Sequence, residues 1–401
     1  GYFCCQLWPY AVFFLTCRGL SSDVRMNKMQ HTPVRVFHII SHFDLGGAEQ
    51  VAANIAKSST GGVEYHMIEV MRGHTPFTRS LIDELQASGI RLHRSFMPDV
   101  RFHFLFERLG ALCFPFWFLF LYLKWRPDVL HCHTETADMA VCAFARLFPW
   151  LRKYKIVRTV HNTMLWTGVK RLGDHIERFM QRNGCNVAIS PSVKDAYGQN
   201  YGTFPPVIMN GVEPVEQRRY PHLHPDRLNI LFAGRLEPQK GIESLLETIR
   251  RMKGDGRFFF HLIGDGTLRQ EVERVVDDAD NAVLVPPVFG LPAFMGSFDA
   301  LFMPSEFEGL GLLAVEAAMA GLPVVANRCS GLSDALPSDW PFWVTGNDVS
   351  AYVHIFRKTL PVADRSALTA WAREYVMKRF SVRNMQLEYE KIYFQVKESS
   401  F

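Results

Sequence analysis

Two carboxylates stand eight residues apart in SEFEGLGLLAVEAAMAGLPVV, residues 305–325: Glu308 before a glycine-broken turn, Glu316 about one turn into the helix that follows. Gly309 and Gly311 permit the tight turn, and Gly321 with Pro323 ends the helix. The run before them, DALFMPS, is apolar and ends on a proline, so it predicts a strand with Glu308 at its carboxyl end. Open α/β sheets bind ligands at that end, and the free N–H groups of a helix start favour phosphate. Hydrogen bonds from hydroxyls to a carboxylate are worth roughly 1.5–3 kcal/mol each. Paired carboxylates flanking an anion site therefore fit a ligand with both phosphate and many hydroxyls, as a nucleotide sugar has.

Two negative side chains beside a diphosphate need positive compensation. ILFAGRLEPQKG places Arg235 just past a predicted strand and Lys240 five residues later, before a helix. Arginine offers phosphate a planar fork and lysine a point charge. An R-x4-K pair is common by itself; its position at a strand–helix junction is what gives it weight. In the first half of the chain the matching turn is FDLGGAEQ, where Gly46 and Gly47 let bare backbone approach an anion. No G-x-G-x-x-G follows either first strand, which weighs against an oxidoreductase. The D-x-D at Asp278 and Asp280 precedes a strand instead of following one and reads as a solvated turn.

The elements that must position these residues are legible in the hydrophobic pattern. From residue 34, short apolar runs (VRVFHII, EYHMIEVM, DVLHCH, KIVRTVH, NVAIS) alternate with amphipathic helical stretches. Near-continuous apolar strands separated by helices predict a parallel sheet covered on both faces. A Pro-rich polar stretch at 214–225 interrupts the pattern, which restarts with LNILFAG, FFFHLIGDG, NAVLVPP, DALFMPS and PVVAN. The expected fold is α/β, with two Rossmann-like domains whose parallel sheets face an interdomain cleft. The expected boundaries are 1–28, an extension outside the fold; 29–205, an acceptor domain; 206–370, a nucleotide-sugar donor domain; and 371–401, a C-terminal helix packing back on the first domain. Residues 1–28 break the pattern: PYAVFFLTC is apolar, but the positive flank of a signal segment is missing, so a start at Met26 or Met29 is an equal expectation.

Composition bounds the function classes. With 48% hydrophobic and 21% charged residues the chain is globular, and a net charge of +4 is too mild to argue for nucleic acid. Eight cysteines without a C-x-x-C pair suggest a reducing, cytoplasmic setting. His131, Cys132 and His133 have the look of metal ligands, but adjacent strand residues face opposite ways, so Cys132 is not expected to join its neighbours. From 152 to 182, eight Lys or Arg face only Asp174 and Glu177, consistent with a solvated face or with an anionic partner. Residues 109–123 carry no charge and include Phe114, Phe116, Trp117, Phe118 and Phe120. The run is too short to span a bilayer, and Pro115 is expected to interrupt it. It reads either as a core helix or as a face lying on a membrane surface.

GGAE, DVLHCH, TVHN, NGV, GRLEPQKG, LIGDGTLR and EFEGLGLLAVEAAMAGLPVVA, in this order, resemble the retaining GT-B glycosyltransferases of family 4, from about residue 34 to the C-terminal helix. The resemblance implies an activated sugar donor held mainly by the second domain. Glu316 would hold the ribose hydroxyls and Glu308 the transferred sugar, with Gly309 and Leu310 lining the donor turn. Arg235 and Lys240 would stabilise the leaving diphosphate, approached from the first domain by Gly46 and Gly47. His161, in TVHN, matches the histidine placed near the reacting sugar. No cofactor or metal ion is expected, since two cations do the neutralising. Where relatives often show a glycine pair and a glutamate after PVVA, this chain has NRCSGLSDAL, with Gly331 and Asp334.

The expected function is transfer of a sugar from a nucleotide donor to a lipid-linked or polysaccharide acceptor, in cell-surface polysaccharide synthesis. The expected place is the cytoplasmic side, peripheral at the inner face of a membrane. The same fold also admits a sugar-nucleotide epimerase or phosphorylase, or a non-catalytic nucleotide-sugar binding protein.

Overall fold

A computed structural model describes residues 32–44, 46–57, 61–98, 103–167 and 169–398; the expected 1–28 extension lies outside them. Six strands form the first sheet: Val34–Ile40 (β1), Val63–Glu69 (β2), Arg91–His93 (β3), Val129–Cys132 (β4), Lys155–Val160 (β5) and Gly184–Ala188 (β6). Its helices are Gly47–Lys57 (α1), Pro76–Ala87 (α2), His103–Trp125 (α3), Glu135–Leu147 (α4), Lys170–Asn183 (α5) and Pro191–Tyr201 (α6). The second sheet contains Leu228–Ala233 (β7), Phe258–Ile263 (β8), Ala282–Val285 (β9), Ala300–Met303 (β10), Val324–Asn327 (β11) and Trp343–Val344 (β12). Around it lie Ile242–Arg251 (α7), Arg269–Asp277 (α8), Leu312–Met319 (α9), Leu332–Ala335 (α10), Val349–His354 (α11) and Arg365–Arg379 (α12), and the chain closes with Val382–Glu398 (α13).

Every pairing is parallel, in the orders β3-β2-β1-β4-β5-β6 and β12-β11-β10-β7-β8-β9. Both orders are the doubly wound one, and each reverses direction at one point: between β1 and β4, and between β7 and β10. Chains leaving the carboxyl ends of such neighbours part to opposite faces and open a crevice. The candidate residues all follow these ends or the end of β5. Burial on both faces explains the strand composition: all four residues of β4 and of β10 are buried.

Helix α3 buries one row of its apolar residues and exposes another. Ala111, Phe114, Phe118 and Tyr122 recur at helical spacing and are buried, with Phe118 against Phe37 and Phe144. On the other side Leu109, Leu112, Phe116, Phe120 and Leu123 are exposed, Phe116 by 65% and Phe120 by 68%. Pro115 does not interrupt the helix, contrary to the expectation. It removes one backbone hydrogen bond, and anchoring of Phe114 and Phe118 on either side of it offsets that loss. Among the described residues no helix is long and apolar enough to cross a membrane.

Within the basic stretch, Arg158 is not part of any surface. It is buried and bonds Asp138 at 2.7 Å and Glu177 at 2.6 and 2.7 Å, with Trp166 and Tyr197 also donating to Glu177. Burial drives the Asp138 carboxyl up to about 7, while Arg158 keeps Glu177 below its ordinary value. Removing this internal pair leaves the local basic surplus at six.

Candidate active site

Lys240 lies in a single 3-10 turn after β7, and Glu308 follows β10. Sixty-eight residues apart in sequence, they meet at 2.6 Å, Nζ to Oε1, and the Ser305 hydroxyl donates to the same oxygen at 2.8 Å. Glu308 is buried, and its N–H is tied to the Ser330 carbonyl at 3.0 Å. Gly331, at φ 81°, lets that loop pass so close that a Cβ would strike the Glu308 carbonyl. This anchors Gly331 to the carboxylate loop, whereas Asp334 turns to the first lobe and accepts from the Ser192 N–H at 2.9 Å.

Arg235 remains exposed at the end of β7, with no ion pair among the described residues. Its charge reaches Glu49, buried in the first turn of α1, whose carboxyl is pushed up by burial and drawn down by His42 and, more weakly, Arg235. Glu49 went unread in the sequence, although GGAE contains it. Its carboxylate fills the space a Cβ on Gly46 would need. Gly47 opens α1 and faces Leu312, the first residue of α9, at 3.8 Å from where its Cβ would be. The two helix starts therefore face each other across the cleft.

Glu316, on α9, is half-buried and has no hydrogen-bond or charged partner among the described residues. Burial alone raises its carboxyl to about 7. A carboxylate in that condition is an acceptor waiting for donors. Leu310 is a correction in emphasis: its side chain is buried in the second core, so only its backbone is available to a ligand.

Gly309 joins the two lobes. Its Cα lies so close to the His161 carbonyl that a Cβ would collide with it, and its own carbonyl accepts from the Ser190 hydroxyl at 2.7 Å. His161, just past β5, is thereby brought to the Glu308 turn. Its ring meets His133, Nε2 to Nδ1 at 3.4 Å, and His133 meets His38 at 2.7 Å. Burial lowers the His161 imidazole to about 3, so it is neutral at ordinary pH.

His38, His131 and His133 place ligand nitrogens within 4.8 Å of one another. Both His131 nitrogens are already engaged, by Tyr393 and Thr159 at 2.7 Å each. The 2.7 Å between His38 and His133 is a hydrogen-bond distance. Two nitrogens on one tetrahedral zinc would stand about 3.3 Å apart. Cys132 faces away, its thiol toward the Ala137 carbonyl. Asp278 pairs with Lys253 at 2.8 Å and Asp280 accepts from Gly254, so the D-x-D is a surface turn.

Two family descriptions match the chain in tandem: Glycosyltransferase Family 4 over residues 45–216 and Glycosyl transferases group 1 over 227–360. The chain belongs to these glycosyltransferases, and the fold is GT-B. A 41.2 kDa protein from the cps region of Klebsiella pneumoniae is 29% identical over 66% of this chain and 78% of its own length. A glycogen synthase of Mycobacterium tuberculosis is 27% identical over 53% of this chain, which spans about half (55%) of that enzyme. Among solved structures, Anabaena Alr3699/HepE in complex with UDP-glucose superimposes with a TM-score of 0.73 at 17% identity, covering 89% of this chain and 98% of that one.

Proposed function

We propose that this enzyme transfers a sugar from a nucleoside diphosphate donor to a lipid-linked or polysaccharide acceptor, with retention of configuration and without a metal ion. The observation that carries the reading is the Lys240–Glu308 pair at the switch point of the second sheet, in a lobe where Arg235 and Glu316 have no side-chain partner among the described residues. Lys240 and Arg235 meet the charge that grows on the diphosphate as the bond from the anomeric carbon to the phosphate oxygen breaks. An acceptor hydroxyl forms the new bond to that carbon, and its proton leaves with the diphosphate. Glu308, held in place by Lys240, accepts hydrogen bonds from hydroxyls of the moving sugar, and Glu316 accepts those of the ribose. The helix starts at Gly47 and Leu312 supply N–H dipoles to the phosphates.

The acceptor class rests on α3, whose outer row of Leu112, Phe116 and Phe120 suits a lipid surface, with Trp150, Arg152 and Lys153 exposed beside its carboxyl end. The expected location is thus the cytoplasmic face of a membrane. A relative from a cps region and a UDP-glucose complex among the structural neighbours are in keeping with polysaccharide synthesis from a nucleotide sugar.

The test is release of nucleotide from UDP- and GDP-sugars by wild type and Glu316→Ala, with and without EDTA. Chelator-resistant release from one donor, at least tenfold slower in the variant, is the expected result. Release abolished by EDTA overturns metal independence. Epimerised donor, or turnover only with inorganic phosphate, would replace transfer with the epimerase or phosphorylase reading.

A further inference from the structure

Three imidazoles run in line from the first core to the cleft: His38 on β1, His133 just past β4, and His161 just past β5. The contacts are His38 Nδ1 to His133 Nε2 at 2.7 Å and His133 Nδ1 to His161 Nε2 at 3.4 Å. His38 and His133 are wholly enclosed, while His161 is partly open. At the far end, His38 Nε2 is buried and has no hydrogen-bond partner.

A neutral imidazole has one N–H and one lone pair. In a line of three, both bonds must therefore point the same way, and only two arrangements exist. If the protons point inward, His38 Nε2 carries an N–H with nothing to receive it. If they point outward, that atom is a bare lone pair. Orphaned buried N–H groups are the rarer defect in native proteins, so the outward arrangement is the one this core favours. It gives His38 Nδ1–H to His133 Nε2, then His133 Nδ1–H to His161 Nε2. The remaining proton of His161 then sits on Nδ1, on the side of the ring away from β4.

We infer that His38 and His133 are positioning residues that fix His161 as a neutral Nδ1–H tautomer, a hydrogen-bond donor to the cleft and not a proton acceptor. The inference builds on the proposed function by assigning a chemical role within that same site. A donor there suits an oxygen of the bound sugar or its acceptor. A base there would compete for the acceptor's proton.

The surroundings support a chain that stays neutral. The titratable groups packed around it are Tyr65 on β2, His131 on β4, and Tyr389, Glu390 and Tyr393 on α13, with the Lys240–Glu308 pair across the cleft. Burial holds His131 and His133 well below the usual imidazole range and the three tyrosines above theirs. Glu390 is bonded to Gln386 Nε2 on its own helix. Adding a proton to His133 or His161 would turn one N–H···N contact into two opposed donors, and adding one to His38 would bury a charged N–H at Nε2 with no acceptor.

The test reads the resting protein and so does not depend on turnover. The full chain is labelled with ¹⁵N-histidine, and the His161 signals are assigned by their loss in His161→Asn. Wild type is expected to show a protonated Nδ1 and a bare Nε2 on His161, unchanged from pH 5.5 to 8.5. In His133→Phe the proton should spread over both nitrogens of His161, while burial keeps the ring neutral over the same pH range. His133→Gln, whose amide can still donate to Nε2, should restore the wild-type tautomer, which a merely structural effect of the phenylalanine would not predict. Finding the wild-type proton on Nε2, or His161 titrating between pH 5.5 and 8.5, overturns the inference even if sugar transfer is confirmed. If transfer fails while the tautomer is as stated, the proposed function falls and the positioning stands.

Discussion

Glu316 sits half-buried with no side-chain partner among the described residues, its carboxyl raised to about 7 by burial alone. Ribose hydroxyls donate more strongly to the charged form than to the neutral acid, so binding should pull its pKa down and release a proton. The sign follows: affinity for the nucleotide is complete above pH 7 and falls as pH drops below it, by up to about tenfold per unit for one coupled proton. Calorimetric titration of the preferred donor's nucleotide from pH 5.5 to 8.5 checks this, and Glu316→Gln should bind more weakly with the slope gone. A flat wild-type profile would mean that Glu316 does not hold the ligand. The position of Glu316 was readable because it follows a strand and a glycine turn at fixed spacing. Its isolation was not readable, since that depends on what fails to reach it in space. Likewise Lys240 and Glu308 were each singled out, but nothing in a separation of 68 residues announces a direct contact. Glu49 and His38 were passed over because each, taken singly, looks like an ordinary core or loop residue, and His133 was weighed only as a metal ligand.

Helix α3 presents a different case, in which the sequence posed two readings and the fold shows one row in the core and the other exposed. Periodicity could not separate them, because apolar residues occupy every side of the helix between 109 and 123. Only the presence of β1 and α4 on one side decides which row is core. The outer row makes a prediction of its own. Phe116→Ser with Phe120→Ser removes two large exposed rings, and no core contact, so the thermal midpoint should move little. Sedimentation with phosphatidylglycerol vesicles should fall at least fivefold, while binding to neutral phosphatidylcholine vesicles is weak in both proteins. Equal sedimentation of wild type and variant would remove α3 from any membrane role. The failure at Pro115 has the same physical origin as the ambiguity: a proline weighs against a helix by local rules, and here tertiary packing around it overrides them.

Two sheets of one topology, in sequence, were legible from the alternation of strands and helices, and the stop at the Pro-rich segment marked where one pattern ended. What the pattern could not give is how the chain's end returns. Helix α13 buries Met385, Tyr389 and Tyr393 in the core of the first sheet, beside β1 and α1. Tyr393 bonds His131 at 2.7 Å and Tyr389 bonds Thr159 at 2.8 Å. Each buried ring contributes about 1.5–3 kcal/mol, and each polar partner left orphaned costs roughly 1–3 kcal/mol. Together that is on the order of 5–10 kcal/mol, comparable to the whole stability of a domain. The first lobe is therefore completed by residues that follow the second lobe in sequence. A chain ending at residue 381 is expected to show the consequence in hydrogen exchange. Amides of β1, β4 and β5 should lose their slow protection, and those of β7, β8 and β10 should keep it, because α13 leaves the second core untouched. Uniform loss in both sheets would mean that the lobes unfold as one unit. Full protection in the first sheet would show that α13 only covers a core already stable without it.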